Sequence, residues 1–354
     1  MQSVLIIAPV IFPCGGDTRY QGIERLCLYW GCELHRLGYK ASVVSARGSV
    51  FPRGITHIEV PLGDFTQGEL VAYASYKPEI RNYDVILEMS HSHWAMREFT
   101  DLPAVAWCWH TPALMQPPLP SYNLFALSEY QKNQLFAYQG LTARVFDPHC
   151  GRHWGEVGLE PSPGTEKEEK EAVGGGISNY YVFIGRATPT KGMLEAVRMC
   201  KNNSLPLRII GGLGPNDDPA YLYQVEAECC GDIEYLGQVS DEVKNHFLSR
   251  AKALIYPINY PNQYGESHSH KSVDSLLAGI PVVAYRQGAL DEVIEHGVDG
   301  FLAANEHEFV DYMLEVDSLD RDTIRRRATG RWSIENVVSR AIPVLDEVAG
   351  GLRW

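Results

Sequence analysis

Two carboxylates eight residues apart, Glu266 and Asp274, flank the small-polar turn Ser267-His268-Ser269-His270. An apolar helical stretch then runs into Gly279-Ile280-Pro281-Val282-Val283-Ala284. A helix that starts in such a turn aims its free amides and the positive end of its dipole at an anion. The pattern puts Glu266 in the loop before the helix and Asp274 on the helix. One segment can therefore hold a phosphate, a sugar and a ribose together. A second segment carries cations. In Phe183-Ile184-Gly185-Arg186-Ala187-Thr188-Pro189-Thr190-Lys191-Gly192 a strand ends at Gly185, and Arg186 and Lys191 follow five residues apart in a loop before a helix. Ligands of open α/β sheets bind at strand C-terminal ends, where Arg clamps a diphosphate by its fork and Lys as a point charge.

Other segments are weaker alone. Leu207–Pro215 is a strand running into a glycine turn at Gly211, Gly212 and Gly214. Tyr235–Asp241 is another strand-end turn, whose main-chain groups at Gln238 and Val239 can read a base edge. Gly22, before a helical stretch, lets a phosphate approach the backbone. His110 lies just past a strand in Trp107-Cys108-Trp109-His110-Thr111-Pro112. Trp94, Trp107 and Trp109 can stack on sugar faces, although such residues are more often core. Two His-x-His pairs, His91/His93 and His268/His270, would share a face on a strand and so admit a metal. No carboxylate or third histidine is close in sequence, and no metal site is expected.

Together these segments resemble the retaining glycosyltransferases of family 4. The resemblance rests on Glu266-x7-Asp274 followed by Gly-x-Pro-Val-Val-Ala, Gly185-Arg186-x4-Lys191-Gly192, Gly212-x-Gly214-Pro215, Gln21-Gly22-x-Glu24, and Gly288-x3-Glu292-Val293-Ile294. It departs at Asp274, where the family usually carries Glu, at Gln21 for a glycine, and at His268 and His270 for Phe and Leu. The resemblance implies a GT-B fold and sugar transfer from a nucleoside diphosphate with the anomeric configuration kept. UDP is the first expectation for the donor and GDP the second. It implies that Arg186, Lys191 and the turn Ser267-His268-Ser269 hold the diphosphate, and that Glu266 positions the donor sugar. Asp274 would bind the ribose, Gly22, Gly212, Gln238 and Val239 would line the donor, and His110 would contact its sugar. No cofactor and no divalent metal are expected, because protein cations take the metal's place. The acceptor would be a hydroxyl of a glycan, a lipid-linked or a small molecule. The alternatives are a nucleotide-sugar epimerase or hydrolase on the same fold, and a non-catalytic sugar-nucleotide-binding protein.

The elements that must position these residues alternate strand and helix. The 354 residues suffice for two domains, and 45% hydrophobic and 21% charged residues describe a globular chain. A net charge of −13 excludes a nucleic-acid binder, which needs a basic face. Residues 1–150 hold 11 Lys+Arg and 13 Asp+Glu, so −11 of that charge lies beyond them. The near-neutral first half leaves peripheral contact with a membrane surface open. The apolar run Val4–Pro13 lacks a basic start and a cleavage site, and reads as a first strand rather than a targeting signal. Eight scattered cysteines without a Cys-x2-Cys pair fit a reduced, cytoplasmic protein.

Strands are expected at Val4–Ala8, Ala41–Ser45, Asp84–Glu88, Ala104–Trp107 and Asn123–Leu127, and again at Tyr180–Ile184, Leu207–Ile210, Ile233–Leu236, Ala253–Tyr256 and Pro281–Ala284. Ile23, Leu26, Trp30, Leu34 and Leu37 form one helical face, stopped by Gly38. Residues 155–178, rich in Pro, Gly, Glu and Lys, bury nothing and read as a linker or mobile loop. The expected organisation is two doubly wound, Rossmann-like domains facing a cleft: an acceptor-side domain at 1–154, and a nucleotide-sugar domain at 179–332. A helix at 333–354 would pack back onto the first.

Overall fold

The structure, a computed structural model, describes residues 2–15, 22–110, 119–151, 178–214, 217–259 and 265–354. Nearly all of the expected linker, together with Gln21, Pro112 and Pro215, lies outside the described residues. The chain forms two compact units, Met1–Gly151 with Trp332–Trp354, and Arg152–Arg331.

The first unit is built on seven strands: β1 (Ser3–Ile7), β2 (Lys40–Ala46), β3 (Thr56–Val60), β4 (Val85–Glu88), β5 (Ala104–Trp107), β6 (Leu124–Ala126) and β7 (Arg144–Val145). They pair in parallel in the order β3-β2-β1-β4-β5-β6-β7. A parallel sheet is covered by helices on both faces, so its strands must be apolar on both. In β1 the alternation is explicit. Val4 and Ile6 pack with Leu26, Trp30 and Leu34 of the helix Ile23–Arg36, while Leu5 and Ile7 face Tyr73, Tyr76 and Ala95 on the other side.

The helix Ile334–Ala349 belongs to this unit. Its N-cap Ser333 accepts a hydrogen bond from the Asn336 amide. Val337, Val338, Ala341, Leu345 and Val348 enter the same core as Val4 and Trp30. Beyond it, the Trp354 amide donates to Asn123 Oδ1 at 3.0 Å, and the Trp354 carbonyl accepts from the Asn123 amide at 3.0 Å.

The second unit carries β8 (Tyr181–Ile184), β9 (Leu207–Ile210), β10 (Ile233–Gly237), β11 (Leu254–Tyr256), β12 (Val282–Tyr285) and β13 (Gly300–Ala303). They are parallel, in the order β10-β9-β8-β11-β12-β13. Both sheets reverse their strand order once, between β1 and β4 and between β8 and β11. At such a switch point the two crossovers leave in opposite directions and open a crevice beyond the strand ends. Ten strands fall where the sequence predicts them; β3, β7 and β13 are additional. No described helix is long and apolar enough to cross a membrane.

Candidate active site

The switch point of the second unit collects the charged residues. Lys191 ends the short 3-10 turn Pro189–Lys191 after β8, and Tyr256 is the last residue of β11. Glu266 lies in the loop before the helix His270–Leu277. The three side chains meet. Lys191 Nζ donates to Glu266 Oε2 at 2.5 Å and to the Tyr256 hydroxyl at 3.2 Å, and Tyr256 donates to the same carboxylate oxygen at 2.7 Å. Burial alone would raise the Glu266 pKa. The charge and hydrogen bond of Lys191 and the Tyr256 hydroxyl outweigh it, so the carboxyl sits below its ordinary range.

Glycines hold this triad by close backbone approach. Gly192, at φ +74, would place a Cβ 2.0 Å from the Pro257 carbonyl oxygen. Gly288, at φ +61, would place one 2.2 Å from the carbonyl oxygen of Glu266 itself, which accepts from the Ala289 amide at 2.7 Å. Only glycine fits either place. The segment Gly288–Ile294 thus buttresses the loop that carries Glu266.

Arg186 stands on the neighbouring turn. Its Nη1 donates to Asp217 Oδ1 at 3.2 Å, and Asp217 Oδ2 accepts from the Gly214 amide at 2.7 Å, which ties the guanidinium to the glycine turn after β9. A Cβ at Gly212 would meet Gln238 at 2.9 Å. Gln238 is exposed and donates through Nε2 to the Leu213 carbonyl at 3.1 Å. Val239 follows β10 and precedes Ser240, the N-cap of the helix Asp241–Arg250.

Ser267 and His268 are buried in the turn before the helix His270–Leu277. Ser269 caps that helix, its Oγ accepting from the Ser272 amide at 3.3 Å and the Ser272 hydroxyl at 2.8 Å. Asp274 is half-buried on the same helix. Three residues not singled out from the sequence belong here: Tyr256, Asp217 and Lys271. Burial and the charge of Lys191 push the Lys271 ammonium down to about 7. Tyr256 had a legible signal, since it closes a predicted strand on the C-terminal edge of the sheet. Nothing in the spacing marks Lys271.

In the first unit, His110 lies three residues beyond β5, and burial lowers its pKa. Gly22 is the N-cap of the helix Ile23–Arg36 at φ −108, and among the described residues a Cβ there meets nothing. The space beside its backbone is open among the described residues, as an approaching phosphate would need. Trp107 is wholly buried among Trp30, Phe125 and Phe146 and presents no face to a sugar. The His-x-His pairs do not lie on strands. β4 ends at Glu88, His93 sits at φ +51 and donates through Nε2 to the Trp107 carbonyl at 2.9 Å, and His270 is already helical.

Residues 165–330 match the family model described as glycosyl transferases group 1. No curated protein matches the chain. Solved structures similar over its whole length include AviGT4, a glycosyltransferase involved in avilamycin A biosynthesis, at 18% identity, TM-score 0.74, and coverage of 100% of both chains. Sucrose-phosphate synthase from Thermosynechococcus elongatus is similar at 13% identity and TM-score 0.77, covering 99% of this chain and 100% of its own. HepE from Anabaena, solved in complex with UDP and glucose, is similar at 15% identity and TM-score 0.70, covering 98% and 100%. Two parallel-sheet units with this strand order, similar over the whole chain to these structures, give it the GT-B fold, and residues 165–330, which span both cations and both carboxylates, carry a glycosyl transferases group 1 domain.

Proposed function

We propose that this enzyme transfers a hexose from UDP, with GDP the second candidate, to a hydroxyl acceptor, keeping the anomeric configuration and using no divalent metal. The observation that carries the proposal is the Lys191–Glu266–Tyr256 triad beside Arg186 at the β8/β11 switch point. A preset ammonium and a guanidinium are what a leaving diphosphate needs as its charge develops. In the proposed mechanism the donor phosphate takes its place at Lys191 and Arg186, and the sugar hydroxyls donate to Glu266. Asp274 accepts from the ribose hydroxyls. His110 is the first unit's contact for the donor sugar. The bond between the anomeric carbon and the phosphate oxygen breaks while the acceptor oxygen bonds the same face, and the acceptor proton passes to the leaving phosphate oxygen.

The main rival, a nucleotide-sugar hydrolase or epimerase, would need no acceptor. Melting shifts with UDP-, GDP- and ADP-sugars rank the donors. Turnover in EDTA, with and without candidate acceptors, then tests the reaction. Donor turnover is expected to persist in EDTA and to depend on an acceptor. Loss on chelation restored by Mn²⁺ or Mg²⁺ would overturn the metal-free mechanism, and equal sugar release without acceptor would favour hydrolysis.

A further inference from the structure

The end of β4 holds a cluster that the proposed reaction does not use. Glu88-Met89-Ser90-His91-Ser92-His93 leaves the sheet at the first unit's own switch point, where β1 and β4 diverge. The loop is locked from several sides. The Ser90 hydroxyl donates to Glu88 Oε1 at 2.5 Å and accepts from the His93 amide at 3.2 Å. Glu69, from the helix Gln67–Tyr76, takes the amides of His91 and Ser92, one on each carboxylate oxygen, at 3.0 and 2.6 Å. The Ser92 hydroxyl donates to the Phe65 carbonyl.

This rigid loop presents one imidazole to another. His91 Nδ1 lies 3.0 Å from His110 Nε2, with ring centroids 4.8 Å apart. The Phe65 ring packs against both, 5.9 Å from His91 and 6.4 Å from His110. An N–H···N bond needs one bare nitrogen, so the pair carries one proton between the facing atoms. The carbonyl of His110 is occupied as well, accepting from Gln131 Nε2 at 2.9 Å and from Cys108 Sγ at 3.4 Å. Among the described residues, Nδ1 of His110 takes no hydrogen bond, which leaves this ring nitrogen open to a substrate.

We propose that His91 is a positioning residue for His110: the Nδ1···Nε2 bond holds the His110 ring in one orientation and one tautomer, and so decides whether Nδ1 meets a sugar hydroxyl as donor or as acceptor. The functional part of this inference rests on the glycosyltransferase reading above. The tautomer part does not. A ring fixed in advance gives up no orientational freedom when substrate arrives. A free His110 ring would divide its population between two tautomers, only one of which suits a given hydroxyl.

Two readouts test it. The first is the ¹⁵N spectrum of the histidine-labelled full chain, with the His110 signals assigned by their loss in His110→Ala. A single tautomer is expected in the wild type, and a mixture of both in His91→Phe, which keeps the ring but offers no nitrogen. The second is kinetics. His91→Phe is expected to lower kcat about tenfold with little change in donor KM, the scale of one well-placed hydrogen bond. His91→Asn, whose amide falls near the Nδ1 position, is expected to recover most of that loss. An averaged His110 spectrum in the wild type overturns the proposal whatever the enzyme's reaction proves to be, and it needs no variant to fold. A single tautomer that persists in His91→Phe also overturns it, as does a His91→Asn enzyme no better than His91→Phe. If the tautomer behaves as expected but no donor is turned over, it is the glycosyltransferase reading that fails.

Discussion

In the proposed mechanism Lys191 and Asp274 serve two kinds of binding at the level of single residues. Charge on a leaving diphosphate grows in the transition state, so a cation there acts on rate. The ribose is remote from the breaking bond and is held equally before and during the reaction. Lys191→Ala is therefore expected to lower kcat by about 10²–10³. Asp274→Ala is expected chiefly to raise donor KM, and Asp274→Glu to be tolerated. Steady-state kinetics on the three variants decide this; a kcat collapse in Asp274→Ala at unchanged KM would move that carboxylate from ribose to sugar. The sequence carried much of this information. Arg186, Lys191, Glu266 and Asp274 could be singled out because together they resemble the motifs of one family in order and spacing; a charge at a strand end is by itself more often solvated surface. The direct contact of Lys191 with Glu266 was not, since the two are 75 residues apart and meet only through the sheet order. Nor was the single carboxylate oxygen that Lys191 and Tyr256 share, because a strand pattern tells which face a side chain takes but not what it finds there.

Among the elements, the turn at Gly288 has the clearest task. It is 22 residues from Glu266 in sequence yet presses on its backbone. Gly288→Ala must escape a 2.2 Å approach to the Glu266 carbonyl oxygen and also hold φ +61, so the two loops must separate. Activity is expected to fall at least tenfold through displacement of the carboxylate, a loss of about 1.4 kcal/mol in transition-state binding. The first unit's core should be untouched, which near-UV dichroism of its Trp30 and Trp107 cluster would check. Retained activity would mean that Glu266 does not need this buttress. The additional strands show where pattern reading stops. β7 has only two residues, and β3, Thr-His-Ile-Glu-Val, carries charge because it lies at the sheet edge. β13 opens with Gly300, where a Cβ would sit 2.2 Å from the Val282 carbonyl oxygen. Its sequence reads as a turn although the residue is there for close strand packing.

At the scale of the molecule, the first unit keeps several ionisable groups out of water. Burial raises Glu88 and Glu24 to about 7 and Glu69 to about 8 from an ordinary 4.5. A raised acid binds more protons folded than unfolded, so its contribution is complete below about 4.5 and is lost as pH rises through 7 to 8. Burial lowers His91 to about 3 and His93 to about 4, and their contribution runs the other way, lost as pH falls below 6.5. Above 6.5 both imidazoles are neutral in either state, leaving the carboxyls to act alone within the cluster. Glu88→Gln is therefore expected to gain on the wild type between pH 6.5 and 8, by up to about 1 kcal/mol. Paired thermal melts measure it, and a gap that stays constant over that interval would mean Glu88 is already ionised at 6.5. The two-unit architecture was legible in the repeated strand–helix alternation. The acids and histidines were not, because burial of a polar residue depends on neighbours from other elements.

The helix Ile334–Ala349 completes a core whose other residues lie before Gly151. A ribosome reading this message releases Val4, Trp30 and Trp107 long before Val337 and Leu345 exist. The intervening unit takes on the order of ten seconds or more to synthesise at bacterial-to-eukaryotic rates. The unit translated first is therefore expected to become native last, and the second to finish while the first still waits with apolar surface exposed. Nascent chains stalled with residue 331 just outside the exit tunnel should show a protease-resistant second unit and a digestible first. Chains extended through Trp354 should protect both. Early protection of the first unit would mean its sheet closes without the helix that arrives from the far end of the chain.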